Sequence, residues 1–393
     1  MYSDFCDALQ AEVRSDRFNT TTQRYTFLDV LRALAILWMI QVHITNVIAE
    51  PTLRHGFWGN LLFLSNGFVA PTFILCAGIG LAIALSRKGA LFLRSDRSLW
   101  IYLRRLSFIL FLAYLLHIPA YSLTAFKYVQ LERFITWIKF DVLHTIVLGS
   151  VLVLGLFFIL RTVNRVAVAA AVITVLIFTF TALIWKFTNT LNPLSLPSLA
   201  FSKSSISTFP LIPWVGYLCA GFAGGTLFFS ASNKTLLANW FIVAGVVVPP
   251  VVFTIKSLPF STPWDTFWWN SSPGVHAFRL SCILCMFGLL YRANNVLGGS
   301  RTGVILQQIG NESLFIYVAH LLVVYSTVTP NIIRSLNLAN SSFPTILAAW
   351  VALTIPMVGL SLLWHHYKVR FPKYVTGTIA GFMLLVFAVF LIR

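Results

Sequence analysis

The sequence predicts an all-α protein, a polytopic bundle of about eleven transmembrane helices with its N-terminus in the cytoplasm. Of its 393 residues, 58% are hydrophobic and only 10% are charged, whereas charged residues make up about a quarter of a soluble domain. Apolar runs of about 20 residues, enough to cross the ~30 Å hydrocarbon core, recur along the chain. These observations exclude a soluble domain, a disordered chain, a disulfide-stapled mini-fold and an outer-membrane barrel, whose strands alternate in polarity.

Eleven apolar runs are the predicted spans. They cover residues 28–48, 59–85, 104–124, 142–160, 166–186, 210–230, 237–256, 275–291, 311–329, 344–364 and 375–392. The residues before them are polar, and the first run is long enough to remain as a span rather than to be cleaved as a signal peptide. We therefore expect a cytoplasmic N-terminal segment, 1–26, followed by one membrane domain, 27–393.

The positions of the basic residues predict the orientation, because cytoplasmic connections retain Lys and Arg. The chain has 28 Lys and Arg against 11 Asp and Glu, a formal charge of +17. With the N-terminus inside, 17 of the 28 fall in inner segments and nine in outer segments, which leaves Arg32 and Arg279 within spans. Most of the positive charge therefore indicates topology, and no nucleic-acid partner is needed to explain it.

The cysteines predict no metal site. Cys282 and Cys285 form a lone Cys-x-x-Cys pair inside an apolar span, without a second pair of ligands. Cysteine in such a span behaves as a small hydrophobe. We expect no bound metal or cofactor.

The first span holds three ionisable residues on one helical face. Asp29 and Arg32 are three residues apart and can form an ion pair, and His43 follows eleven residues later, close to three full turns. His43 then lies ~16 Å further along the axis, toward the outer half of the membrane. An intramembrane ionisable group is costly and often functional, although a structural ion pair and a capping histidine are the alternative.

A second histidine follows the first span. His55 lies in a short predicted outer loop, twelve residues after His43, so the two imidazoles can meet in one cavity. An imidazole pair suits removal of a proton from a hydroxyl or amine near neutral pH.

Later spans add polar and small residues. Asn66 needs a hydrogen-bonding partner at its predicted depth. Trp214 and Gly216 lie where the sixth span begins, with the aromatic at the predicted outer interface. Below it Gly221, Gly224 and Gly225 form a small-residue stripe, which either packs helices or lines a channel for an extended ligand.

The ninth span carries an inward polar face. Ser313, Tyr317 and His320 recur at i, i+4 and i+7, so one side of this helix presents three hydrogen-bonding side chains. Such a face favours the protein interior over lipid. Asn311, just before it, is interpreted as a helix cap.

Together these segments resemble a known family. The stretch from Arg24 to His43, with ten residues between Arg32 and His43, resembles the first helix of the transmembrane acyltransferase superfamily and the signature of its acyltransferase-3 branch. Four later blocks resemble, in order, those of bacterial proteins with the heparan-alpha-glucosaminide N-acetyltransferase catalytic domain. They are Ala70–Phe73 with Gly78, Phe140–His144, Pro210–Tyr217 and Gly310–Tyr317 through His320. The resemblance spans residues 24–330.

The resemblance implies an acyltransferase that uses acetyl-CoA from the cytoplasm as co-substrate and modifies a sugar or glycan on the other side. Lysosomal members use an Asn at the end of the first helix and a His in the following loop. The matching positions here hold His43 and His55, which are the candidate catalytic residues. The candidate binding residues for CoA and acceptor are Asp29, Arg32, Asn66, Arg104, Arg105, Trp214, Gly216, Ser313, Tyr317 and His320.

Several alternatives stay open at this stage. Arg104 and Arg105 also fit simple positive-inside anchoring. The sequence does not decide which imidazole is the base, or whether transfer is direct or proceeds through an acyl-histidine. The competing functions are a transporter or flippase for a glycan or lipid-linked substrate, and a membrane scaffold. A bacterial inner membrane is the expected location, and a homodimer is one assembly to consider.

Overall fold

The computed structural model describes residues 25–120, 122–193, 195–203, 209–259, 268–325 and 329–392. These residues form helices and connecting turns, and their one extended pairing is an isolated bridge between Ala49 and Ser341. The all-α prediction is confirmed. The proposed N-terminal segment 1–26 lies almost wholly outside the described residues.

The helices follow one another with short connections. In chain order they are α1 Thr26–Ile48, α2 Gly56–Asn66, α3 Val69–Leu93, α4 Arg97–Leu116, α5 Val142–Leu160, α6 Val163–Thr188, α7 Leu211–Ser230, α8 Lys234–Ser257, α9 Pro273–Arg292, α10 Arg301–Asn311, α11 Ser313–Val324, α12 Thr329–Ser335, α13 Phe343–Arg370 and α14 Val375–Ile392. The connections also contain shorter helical segments: Pro51–Arg54, Leu123–Phe126, Leu131–Trp137, Leu196–Phe201, Trp268–Ser271 and Asn294–Gly299.

Ten helical stretches of the described chain are long and apolar enough to cross a membrane. An eleventh span results if α11 and α12, which are bent by 59° relative to each other, count as one. The prediction of about eleven spans is confirmed, and the chain is a multi-pass membrane protein. One span is displaced from its predicted limits: α4 covers Arg97–Leu116 rather than 104–124, because it begins in the basic segment before the apolar run.

The second span is longer than predicted. It was expected over residues 59–85, and the apolar helical stretch extends from Gly59 to Leu93. Pro71 does not interrupt α3, because it lies in the first turn of this helix, where a missing N–H costs nothing. The break between α2 and α3 instead falls at Gly67 and Phe68.

The centre of the bundle is built on close contact between α3 and α7. A methyl group on Gly78 would overlap the backbone oxygen of Leu218, and one on Gly221 would overlap that of Leu75. Only glycine permits this approach, so Gly221 of the small-residue stripe and Gly78 of α3 serve to pack the two helices together.

Helix α1 crosses the middle of the bundle beside α3, α10, α11 and α13. Most of its apolar residues are buried, and the indole N–H of Trp350 on α13 donates to the carbonyl of Leu37 on α1, at 2.9 Å. By contrast, α14 buries none of its residues, so its apolar side chains face outward, as expected for a helix in contact with lipid. The ionisable residues of α1 therefore lie inside the protein.

Candidate functional site

A cavity of about 630 Å³ opens beside the first half of α1. Along α3 it extends from Arg87 to Phe73, fourteen residues, which corresponds to about 21 Å of helix. Helices α1, α3, α4, α5, α11 and α13 contribute to its wall, as does the junction between α10 and α11. The cavity therefore follows the helix axes through a large part of the bundle.

Asp29 and Arg32 lie at this cavity and form the ion pair that their spacing predicts. The Nη1 of Arg32 is 3.2 Å from Oδ1 of Asp29, and Nη2 lies 3.5 Å from the carbonyl oxygen of Cys76 on α3. Asp29 is buried, whereas the Arg32 side chain is 30% exposed. The carboxylate therefore holds a guanidinium that still faces open volume.

A second carboxylate, Glu312, lies at the junction of α10 and α11. It is 3% exposed, with Lys368 at 2.7 Å and His365 at 2.9 Å, both from α13. All three side chains line the cavity. None of the three was among the candidate residues from the sequence; the missed signal was a carboxylate in an apolar segment, which requires a counter-charge from another helix.

Two further arginines, Arg87 and Arg105, complete the basic part of the wall. Arg105 makes no ion pair with an acidic residue of the described chain and lies close enough to Arg32 for the two charges to repel each other. Arg104, its neighbour in sequence, lies outside the cavity lining. The described wall therefore carries four cationic side chains and two carboxylates, a net positive environment.

The α10–α11 junction is held against α1 by direct backbone contact. A methyl group on Gly310 would overlap the backbone oxygen of Asp29. Asn311, which we interpreted as the cap of the ninth span, is the last residue of α10, and Glu312 takes the N-cap position of α11 without a side-chain capping bond. This break directs Glu312 and Ser313 into the cavity.

The polar face of α11 continues beyond the cavity. Ser313 and Tyr317 line it, and the ring of His320 lies 5.9 Å from that of Tyr317, edge to face. The Nδ1 of His320 is 2.7 Å from the carbonyl oxygen of Ile316. Because a carbonyl can only accept, Nδ1 is the protonated nitrogen, and Nε2, which is buried without a hydrogen-bonding partner among the described residues, retains its lone pair.

His43 lies against His320. Their ring centroids are 5.3 Å apart, and Nδ1 of His43 forms a 2.8 Å hydrogen bond with the hydroxyl of Tyr325 at the end of α11. His55 is exposed immediately before α2, and its side chain makes no hydrogen bond or ring contact with a described residue. The structure thus brings His43 together with His320 rather than with His55.

The other predicted binding residues lie away from the cavity lining. Asn66 has the partner it needs, because the indole N–H of Trp38 donates to its side-chain oxygen at 3.3 Å. Gly216 packs against Phe178 on α6, where a methyl group would come within 2.7 Å of the ring. Trp214, on the same stretch of α7, belongs to a separate aromatic group.

The arrangement places three chemical environments next to one another, two in the cavity and one beyond it. Guanidinium and ammonium groups at one end can bind phosphates, the middle is largely apolar with hydroxyls from Ser313 and Tyr317, and paired imidazoles lie beyond. Sequence spacing identified the residues on α1 and α11 separately. Their meeting across two helices could not be deduced, because it depends on the packing of α11 on α1.

Comparison with known families identifies one match. A sequence model described as heparan-alpha-glucosaminide N-acetyltransferase, catalytic, matches residues 24–260, more than half of the chain. The matched part contains α1 to α8, and therefore Arg32, Arg105 and His43, whereas the residues of α11 and α13 at the site lie beyond it. A comparison with curated proteins finds no match.

Proposed function

Because the chain belongs to the heparan-alpha-glucosaminide N-acetyltransferase catalytic family and is a membrane acyltransferase, we propose that it transfers the acetyl group of acetyl-CoA to a sugar or glycan acceptor. The donor enters from the cytoplasm and the acceptor approaches from the outer side. The observation that carries the proposal is a basic cavity whose lining reaches Tyr317, with His320 in ring contact with Tyr317 and His43 in ring contact with His320.

The basic end of the cavity supports binding of the CoA phosphates. Arg32 and Arg105 present guanidinium groups that match phosphate oxygens in a bidentate manner, and Lys368 adds a point charge from α13. Asp29 and Glu312 hold Arg32 and Lys368 in place. The pantetheine arm then extends between α3, α5 and α11 toward Tyr317. Packing of Gly216 and Gly221 against other helices makes α7 a poorer route for this arm.

The imidazole pair supports direct acyl transfer. The Nε2 of His320 takes the proton from the acceptor hydroxyl or amine as the acceptor oxygen or nitrogen bonds to the thioester carbonyl carbon. The tetrahedral intermediate collapses, the carbon–sulfur bond breaks, and the CoA thiolate leaves and receives that proton. His43 orients the reacting groups, supported by its bond to Tyr325. His55, exposed after α1, is proposed to contact the acceptor at the outer opening.

The proposed mechanism requires the membrane orientation that the distribution of Lys and Arg predicts. With the N-terminus in the cytoplasm, the start of α1 and the basic part of the cavity face the CoA pool, and the end of α1 faces outward. The proposed location is a bacterial inner membrane.

Transfer is tested with purified protein in lipid nanodiscs, supplied with acetyl-CoA carrying a labelled acetyl group and a panel of neutral, amino and acidic sugars. We expect CoA release that depends on the sugar, and label in the sugar product. The double variant H43Q/H320Q, which is expected to be inactive, is the control for non-enzymatic acetylation of the sugar.

The same preparation tests the transporter or flippase alternative. Protein in sealed vesicles is given labelled sugar with and without acetyl-CoA on the other side. Movement of unmodified sugar in the absence of acetyl-CoA, without CoA release in its presence, would contradict the acyltransferase proposal.

A further inference from the structure

The second arginine within the spans, Arg279 on α9, has an environment unlike that of Arg32. Its residue is 6% exposed, and its Nη2 donates to the backbone oxygen of Trp269 at 3.1 Å. No carboxylate of the described chain forms an ion pair with it. An enclosed guanidinium has five N–H donors and a full positive charge, so an enclosure without a counter-charge is energetically unfavourable.

A second cationic side chain lies nearby, and it increases the excess of positive over negative charge in this region. Lys203, at the edge of the same region, donates to the side-chain oxygen of Asn270 at 3.0 Å. Crowding by the surrounding protein lowers the pKa of Lys203, and the positive charge of Arg279 lowers it further. Two cations that disfavour each other within one region are stabilised together when an anion binds between them.

The neighbouring polar groups also lack partners. His276 is fully buried, its Nδ1 is hydrogen-bonded to the hydroxyl of Tyr217 at 2.9 Å, and its Nε2 has no partner among the described residues. The indole nitrogens of Trp214 and Trp268 are likewise buried without a partner in the described chain. Buried polar groups are normally satisfied, so the unpartnered Nε2 of His276, about one helical turn before Arg279, indicates that a ligand completes the site.

The backbone is shaped to admit the guanidinium. At the break between α2 and α3, Gly67 has no side chain, and a methyl group there would come within 3.0 Å of Nη2 of Arg279. Arg279 therefore lies near the start of α3 and α9, at the end of the bundle where α1 finishes and away from the cavity that Arg32 borders.

We propose that Arg279 and Lys203 bind the carboxylate or phosphate group of an anionic ligand at this end of the bundle. His276 completes its recognition by donating from Nε2–H, in the tautomer whose Nδ1 accepts from the Tyr217 hydroxyl. The site does not depend on acyl transfer. If the ligand is the acceptor, the acceptor is an acidic sugar; if it is a lipid, the phosphate belongs to the headgroup.

Binding is measured by thermal unfolding of the purified protein in maltoside micelles washed free of phospholipid. Glucuronate and glucose 1-phosphate are expected to raise the Tm, whereas neutral glucose at the same concentration and ionic strength does not. In a separate arm, added phosphatidylglycerol is compared with added diacylglycerol. A shift with the soluble anions assigns the site to a sugar, and a shift with phosphatidylglycerol alone assigns it to a lipid headgroup. No shift with any of the anions overturns the proposal.

Two variants connect the response to the site. R279Q is expected to bind the anion about 30-fold or more weakly, since a buried charged partner is lost. Without anion it should unfold at or above the wild-type Tm, because a buried unpaired charge has been removed. R292Q, at the exposed far end of the same helix, is the matched control and should respond as the wild type does. Equal anion affinity in R279Q and wild type rejects the assignment.

Three more variants test the remaining explanations. If R279Q does not reach the membrane, K203Q is measured instead, with about 5-fold weaker binding expected for a more exposed charge, and unchanged binding counts against the site. Asp265 lies outside the described residues and is tested directly: anion binding by D265N but not by wild type would mean that the chain supplies its own counter-ion, which overturns the proposal. R32Q should retain the response, so failure of acyl transfer and failure of this site remain distinguishable.

Discussion

Arg32 and Arg279, the two arginines within the spans, occupy contrasting surroundings. Arg32 lies 3.2 Å from a carboxylate and borders a cavity of about 630 Å³. Arg279 is more deeply buried and contacts a backbone carbonyl, with no carboxylate partner in the described chain. For Arg32 the cost of burying a cation is offset by Asp29 of the same chain. For Arg279 we propose that a bound anion offsets it.

The comparison shows why charge alone does not identify a site. Asp29 pairs with Arg32 and Glu312 with Lys368, yet Arg105 borders the same cavity without an ion pair to an acidic residue of the described chain. Around Arg279 the surplus faces packed aromatic rings and unsatisfied nitrogens. The first arrangement suits a large, exchangeable ligand such as CoA, and the second suits a single anionic group.

The largest expected effect is on the imidazoles beyond the first region. H320Q and H43Q should each lower kcat for acetyl transfer about 100-fold to 10,000-fold, since a general base and its neighbour are lost. CoA release is measured in single turnover with saturating acetyl-CoA. H366Q, an exposed residue of α13, is the control. If H55Q lowers kcat as much while H320Q does not, the base is His55 and the pairing of His43 with His320 is structural.

The next effect concerns donor binding at Arg32. R32Q should raise the KM for acetyl-CoA about 10-fold to 100-fold, with a smaller change in kcat, because a charge-assisted contact to phosphate is lost. R97Q, exposed at the start of α4, should leave KM unchanged. R104Q decides between anchoring and binding for that residue. A KM for R32Q equal to that of the wild type would remove Arg32 from the donor site.

The two regions should also differ in how they tolerate an added methyl group. G310A should lower the free energy of unfolding by about 1–3 kcal/mol, because rigid backbone of Asp29 occupies the space. G67A should cost less, since the side chain of Arg279 can shift. G224A, a helical position with no atom nearby, is the control and is expected to be neutral or slightly stabilising. Thermal unfolding in one detergent compares them; equal losses in G310A and G67A would contradict the difference.

The smallest expected effect is a pH dependence at His117, just after α4. Burial lowers the pKa of His117 below its usual 6.5, while Asp141 opposes the shift and Lys139 and His144 add to it. The unfolded chain therefore binds a proton more readily, so stability falls as the pH drops below about 6.5. The free energy of unfolding of H117Q should therefore fall less steeply with decreasing pH than that of the wild type. The two slopes should differ by less than about 1.4 kcal/mol per pH unit. An identical slope in both proteins would show that other groups cause it.

The sequence by itself determined the fold class and much of the content of the site. Long apolar runs cannot satisfy their backbone groups in lipid except as helices, so the eleven predicted spans followed from composition and length. Helical spacing also determined local relations: the Asp29–Arg32 pair and the shared face of Ser313, Tyr317 and His320 depend only on residues within one helix.

The tertiary structure alone decided which helices bring these faces together. Spacing along α1 and its following loop favoured His43 with His55, whereas packing of α11 on α1 places His320 against His43. The cavity wall also depends on the contacts of Glu312 with His365 and Lys368, which join helices far apart in the chain. Within a helix, the repeat of 3.6 residues relates side chains directly, but between helices their relation depends on close packing of whole surfaces, which the local sequence does not encode.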